Sequence, residues 1–158
     1  EVQAGEPGEI LVRGYNITQG YFNNPEATQE AIDSDGWLHT GDIGILDTNG
    51  YIKITDRSKD MFIVGGFNAY PAEIENILCD HPAISQAAVI GIKDERMGEV
   101  AKAFVLLKPD HDLNADSLLQ WSKDNMANYK VPREVEFVRE LPTNAAGKIM
   151  KYLLKDES

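Results

Sequence analysis

Cys79 is the only cysteine in 158 residues, which excludes an internal disulfide. The histidines, His39, His81 and His111, are scattered, and without a cysteine pair no zinc-ligand spacing can be written. Long apolar runs are missing too: no stretch approaches the ~18 residues of a membrane-spanning helix. Positive charge is scarce, with 15 Lys and Arg against 26 Asp and Glu and a net charge of −11. That balance argues against a nonspecific grip on nucleic-acid phosphates or anionic lipid. Also missing are a G-x-S-x-G elbow, a Walker loop and a dinucleotide fingerprint, which removes three common enzyme chemistries. There are no internal repeats. No secretory leader is visible at Glu1, and cytoplasm is the expected compartment.

What is present has two textures. The first fifty or so residues alternate short apolar runs with turn signals: Ile10-Leu11-Val12 ahead of Gly14, then Asp35-Gly36, then Thr48-Asn49-Gly50. They predict short antiparallel strands interrupted by one helix near Pro25, where proline suits the first helical turn. Beyond Arg57 the pattern changes. Pro71 opens a helix with Ile74, Ile77 and Leu78 on one face. Residues 87–92 and 100–107 are β-prone runs separated by polar Lys93-Asp94-Glu95-Arg96. Asn114 can cap a helix carrying Leu118, Leu119 and Trp121. Glu134 to Val138 alternates like a half-buried strand, and Lys148 to Leu154 is expected to form a short final helix. The order strand, helix, strand, strand, helix, strand, helix gives an α+β fold class: a small C-terminal domain with a short sheet flanked by helices, preceded by antiparallel β-strands. The break falls at Asp56 to Asp60, a polar stretch without glycine.

Four segments carry side chains that could do chemistry. In Gly36-Trp37-Leu38-His39-Thr40-Gly41-Asp42 the second glycine lets backbone and ligand come close. The carboxylate after it can accept hydrogen bonds from two adjacent hydroxyls, the geometry of a ribose. Asp42 can equally be a turn residue between strands. Asp56-Arg57-Ser58-Lys59-Asp60 offers the Arg57 guanidinium to a ligand or to a surface ion pair. Gly65-Gly66, followed by Phe67-Asn68-Ala69-Tyr70-Pro71-Ala72-Glu73-Ile74-Glu75, can turn tightly and line a narrow passage with bare backbone; a plain hairpin turn suits the same residues. The last segment is Leu141-Pro142-Thr143-Asn144-Ala145-Ala146-Gly147-Lys148. Lys148 presents three donors as a compact charge, suited to bridging a carboxylate and a phosphate while one attacks the other. At the start of a helix it would face the positive end of the dipole, at a cost of about 0.3–1 kcal/mol. A solvated lysine in a terminal turn is the plain alternative.

Taken in this order, the four segments resemble the adenylate-forming superfamily of acyl-CoA synthetases, luciferases and peptide-synthetase adenylation domains. Asp35 to Gly44, followed by Asn49-Gly50-Tyr51-Ile52-Lys53-Ile54-Thr55-Asp56-Arg57, looks like the signature of its fatty acyl-CoA ligases, and the likeness runs from Gly8-Glu9 to Leu154. The resemblance implies that Asp42 and Arg57 hold the ribose of ATP and of the acyl-adenylate. It makes Lys148 the catalytic lysine, in contact with ATP, and Lys59 the hinge between a large and a small domain. It assigns Gly65 and Gly66 to the loop that borders the pantetheine arm of CoA. Lys123 sits where some relatives carry a basic residue near the CoA nucleotide, and it also lies on the polar side of its helix. Ile63 departs from luciferase-like and coumarate-ligase-like relatives, many of which carry lysine there, and so leans towards the fatty acyl branch.

In such enzymes the phosphate-gripping loop, the magnesium-holding glutamate and the acyl pocket lie upstream of these segments. The resemblance therefore implies the C-terminal piece of an AMP-forming fatty acyl-CoA synthetase, inactive alone. Residues 1–57 would end the large N-terminal domain, and residues 58–158 would form the small C-terminal domain. The implied partners are the missing N-terminal domain, fatty acid, ATP and CoA, with Mg2+ held by that missing part. No metal ligand, nucleic acid or transmembrane segment is expected in this piece, and membrane association through the missing part stays open beside the cytoplasmic expectation. An aryl or short-chain acid CoA ligase, and a non-catalytic binding module of the same fold, are the alternatives.

Overall fold

Turn chemistry and capping residues set most element boundaries in the computed structural model, which describes residues 2–156. The chain divides into two compact units, Glu1–Lys59 and Asp60–Ser158. In the first, β1 (Pro7–Val12), β2 (Leu38–Leu46) and β3 (Ile52–Arg57) form an antiparallel sheet in that order. Helix α1 (Pro25–Ala31) starts where proline costs no hydrogen bond, and the Asn24 side chain accepts from the Ala27 amide at 3.0 Å. Between β2 and β3, Asp47 Oδ1 accepts from the amides of Asn49 and Tyr51, at 2.8 and 2.9 Å, and closes the turn.

The second unit comprises β4 (Phe62–Val64), β5 (Phe67–Ala69), α2 (Pro71–Cys79), β6 (Ile84–Asp94), β7 (Gly98–Leu107), α3 (Ala115–Asn125), β8 (Glu134–Phe137) and α4 (Lys151–Asp156). Its sheet runs β5-β4-β7-β6, and β8 adds to β7 in parallel. β6 and β7 pair antiparallel from Ile84↔Leu107 to Asp94↔Gly98. Both faces of that pair are covered. Ala87 and Val89 pack with Ile74 and Leu78 of α2 and Leu118 of α3 on one face, while Ala88, Ile90 and Phe104 pack with Leu141 and Leu154 on the other. Burial on both faces explains why residues 87–90 read as an unbroken apolar run instead of an alternating one.

The α+β class and the helices at Pro25, Pro71 and Asn114 are as the sequence predicts; Asn114 accepts from the Ser117 amide at 2.8 Å. Two expectations need correction. An extra strand precedes α2, because Gly65-Gly66 folds three residues on either side into a hairpin. The final helix begins at Lys151, not at Lys148, because residues 143–149 close a turn of their own.

Gly91 in β6 makes a falsifiable point about packing. A Cβ there would lie 2.6 Å from Phe62 Cβ and 2.7 Å from Phe62 Cγ, and Phe62 is buried on β4 with little room to retreat. Gly91→Ala should destabilise the second unit by about 1–3 kcal/mol. A lowered urea midpoint at unchanged slope is the expected reading, and an unchanged midpoint would contradict the packing.

Candidate functional site

Two irregularities in the first sheet put Asp42 beside Arg57. Between Glu9↔Ile43 and Leu11↔His39, only Ile10 of β1 stands opposite Thr40, Gly41 and Asp42 of β2, so β2 bulges there. Gly41 takes φ +70° at the bulge, a region that favours glycine. The Thr40 hydroxyl donates to the Ile10 carbonyl at 2.8 Å, and the Asp42 amide donates back to Thr40 Oγ1 at 3.1 Å. Across β3 the register shifts by a second bulge, where Ile43 opposes Asp56 but Gly44 opposes Ile54. A one-residue slip exchanges the faces of a strand, and this one brings Arg57 opposite Asp42. Arg57 Nε donates to Asp42 Oδ1 at 3.0 Å, with the arginine half exposed. The contact consumes neither Asp42 Oδ2 nor the terminal guanidinium nitrogens. An exposed pair of this kind contributes about 0–1 kcal/mol to folding.

Behind the bulge lies a contact that sequence reasoning missed. Glu9 Oε1 accepts from the Gly41 amide at 3.2 Å while its Oε2 lies 3.1 Å from His39 Nδ1. Asp33 Oδ2 lies 3.6 Å from His39 Nε2. His39 thus sits between two carboxylates, one of which holds the backbone next to Asp42. The hydrogen bond to Glu9 is the main cause that raises the imidazole above its ordinary value.

In the second unit, Gly65 and Gly66 form the tip of the β4–β5 hairpin with φ of +56° and +90°. Positive φ at both positions is the pattern of a type I′ turn. The Gly65 amide donates to the Met97 carbonyl at 2.8 Å, and a Cβ on Gly65 would lie 2.5 Å from Met97 Cε. Around Gly66 there is open space. Phe67 follows, exposed, with its ring stacked 5.1 Å from that of Tyr129. Lys123 lies exposed in the last turn of α3, and among the described residues no hydrogen bond or ion pair joins it to the diglycine turn.

Lys148 is exposed and lies outside any helix, which overturns the expectation that a helix dipole acts on it. Instead, Asn144 organises its turn. Asn144 Oδ1 accepts from the amides of Ala146 at 3.0 Å and Lys148 at 2.9 Å, and the Asn144 amide donates to the Lys148 carbonyl at 2.9 Å. Gly147 takes φ +78°, and Thr143 bridges to Ile149. The backbone of Lys148 is therefore committed, while no ion pair among the described residues engages its ammonium. Asparagine bonding its own neighbours is a turn signal that could have flagged this arrangement.

Residues 73–148 match the family model described as the AMP-binding enzyme C-terminal domain. Their span takes in α2 from Glu73 onward, the β6–β7 pair and the last turn as far as Lys148. This chain carries the C-terminal domain of the adenylate-forming superfamily. Among curated relatives of this adenylate-forming domain, a methyl-dioxo-octahydroindenyl-propanoyl:CoA ligase of Rhodococcus jostii is 55% identical over 99% of the chain. A long-chain-fatty-acid–CoA ligase of Escherichia coli is 45% identical over 100% of it. The chain spans 30% and 28% of the length of these two relatives. ATP-bound MatB from Rhodopseudomonas palustris superposes with a TM-score of 0.92 at 36% identity, over 99% of this chain and 31% of that one.

The Glu9–His39 contact generates a titration test. An imidazole held above its ordinary value of 6.5 contributes stability that is fully present below that value and is lost as pH rises through the raised one. By NMR, His39 should titrate above 6.5, and Glu9→Gln should lower its value because Glu9 is the larger cause. An unchanged His39 titration in Glu9→Gln would contradict the contact.

Proposed function

We propose that this adenylate-forming domain works within an AMP-forming acid–CoA ligase whose acid is a fatty acid. Residues 1–57 then close a larger N-terminal domain and residues 58–158 form the small domain. The observation that carries the proposal is the Asp42–Arg57 pair, which two separate bulges place side by side at 3.0 Å. A fold that needed only stability would gain little from so exposed a pair.

In this reading Asp42 accepts hydrogen bonds from both ribose hydroxyls of ATP and then of the acyl-adenylate, and Arg57 holds Asp42 in place while adding positive charge. Lys148 spans a carboxylate oxygen of the acid and the α-phosphate. It stabilises the charge that gathers as that oxygen attacks phosphorus and pyrophosphate leaves. The CoA sulfur then attacks the acyl carbonyl, and AMP departs with the electrons of the acyl–oxygen bond. Bare backbone at Gly65 and Gly66 admits the slender pantetheine arm, Lys123 contributes charge for the CoA nucleotide, and Lys59 is the hinge. Among the described residues no group of three or more His, Cys, Asp or Glu could hold a metal ion. In this reading magnesium draws its protein ligands from the upstream part of a longer protein, as the resemblance implies.

Ile63 and the long-chain relative support a fatty acid. The relative at 55% identity is named for a bicyclic acid, which makes a ring-bearing acid the second reading. Turnover of the full-length protein on a panel of long-chain and ring-bearing acids separates them.

Two substitutions in the full-length protein test the roles. Lys148→Ala should slow pyrophosphate release from acid and ATP by about 10²–10³ while thioester formation from supplied acyl-adenylate survives. Equal damage to both half-reactions would remove Lys148 from the adenylation step. Asp42→Ala should weaken ATP and acyl-adenylate alike with folding intact, and unchanged nucleotide affinity by calorimetry would remove the ribose assignment.

A further inference from the structure

One carboxylate ties the start of α4, just beyond the Lys148 turn, to α2 and to the sheet edge. Glu75 Oε1, on α2, accepts from the Val89 amide at 2.7 Å and from Lys151 Nζ at 2.6 Å. Val89 belongs to β6, which is an edge strand of the sheet. Lys151 is the first residue of α4, whose Leu154 packs on the sheet face opposite α2. A single oxygen thus joins a helix on one face, the sheet edge and the start of the helix on the other face. Both side chains of the pair are largely withdrawn from solvent, at 19% and 17% exposure.

We propose that Glu75 and Lys151 are positioning residues for Lys148, fixing where its turn sits and so where its ammonium can reach. This rests on the reading of Lys148 as the adenylation lysine. Lys151 follows Lys148 by one short stretch, Ile149-Met150, whose Ile149 packs on the second core and whose Met150 amide donates to the Pro142 carbonyl at 2.8 Å. Among the described residues of the six-residue α4, Leu154 is the buried side chain, and the ion pair adds a directional constraint to its packing. A partly buried ion pair is a poor device for stability, since an apolar pair of similar volume often stabilises a fold as well or better. What the charged pair adds is direction: Lys151 Nζ must meet an oxygen already held by the Val89 amide.

The test uses the full-length protein and single-turnover assays of each half-reaction. Lys151→Met keeps the stem and removes the charge. It should lower the rate of adenylate formation by about 10- to 100-fold at nearly unchanged KM for ATP, the penalty of a slightly misplaced group. Thioester formation from supplied acyl-adenylate and CoA should stay within about twofold of the parent, because Lys148 takes no part in that step. Lys151→Arg should restore most of the adenylation rate. Glu75→Gln keeps an acceptor for the Val89 amide and removes the charge, so it should reproduce the Lys151→Met split, and it decides alone if Lys151→Met does not fold. Equal loss of both half-reactions, no loss in either, or no rescue by arginine overturns the proposal. Lys148→Ala, run in parallel, separates the two readings: if it leaves adenylation intact, the role of Lys148 falls. The positioning claim then stands or falls on hydrogen exchange at the Ala146 and Lys148 amides. Faster exchange in Lys151→Met supports it, and unchanged exchange overturns it.

Discussion

Because β6 and β7 pair along nearly their whole length and bury side chains on both faces, each helix of the second unit has one place for its apolar residues. α2 and α3 take one face, and Leu154 of α4 takes the other. The same ladder locates the polar features by default. β4 joins β7 at Gly98, which brings the β4–β5 hairpin up against the β6–β7 connection and puts Met97 under Gly65. β8 lines up beside Lys102 to Val105 and delivers the chain towards Leu141 and the Lys148 turn. A domain organised on one doubly covered strand pair carries the diglycine tip and the Lys148 turn at its periphery.

The elements legible in the sequence were those with a local physical signal. Proline at a first helical turn, asparagine at a cap and an unbroken β-prone run each act within a few residues, and α1, α2, α3, β6 and β7 stand where those signals put them. Three-residue strands are too short to show periodicity, and so β4 and β5 were visible only as two glycines with apolar neighbours. Gly147-Lys148 has the form of a helix opening, yet α4 starts at Lys151. The competing signal was Asn144, whose side chain bonds the turn's own backbone and postpones the helix.

At the candidate site the same division holds. Asp42 and Arg57 were readable as residue types in a recognisable order, but their pairing depends on two bulges, and nothing in the identities of Ile10 or Thr55 announces a skipped register. The contacts of Glu9 with His39 and Gly41, and of Glu75 with Val89 and Lys151, join residues far apart along the chain. Such pairs are set by tertiary packing alone. The hinge role proposed for Lys59 rests on resemblance alone, since an exposed lysine in a turn has no local mark of a hinge.

The diglycine tip limits how this surface can diversify. Both residues hold positive φ, so a side chain at either position strains the backbone, and one on Gly65 would also displace the tip of Met97. The flanking positions, Ile63 and Phe67, carry exposed side chains on extended backbone and are under no such constraint. Side-chain change at this hairpin therefore strains the backbone at its tip and leaves the backbone of its rim unstrained.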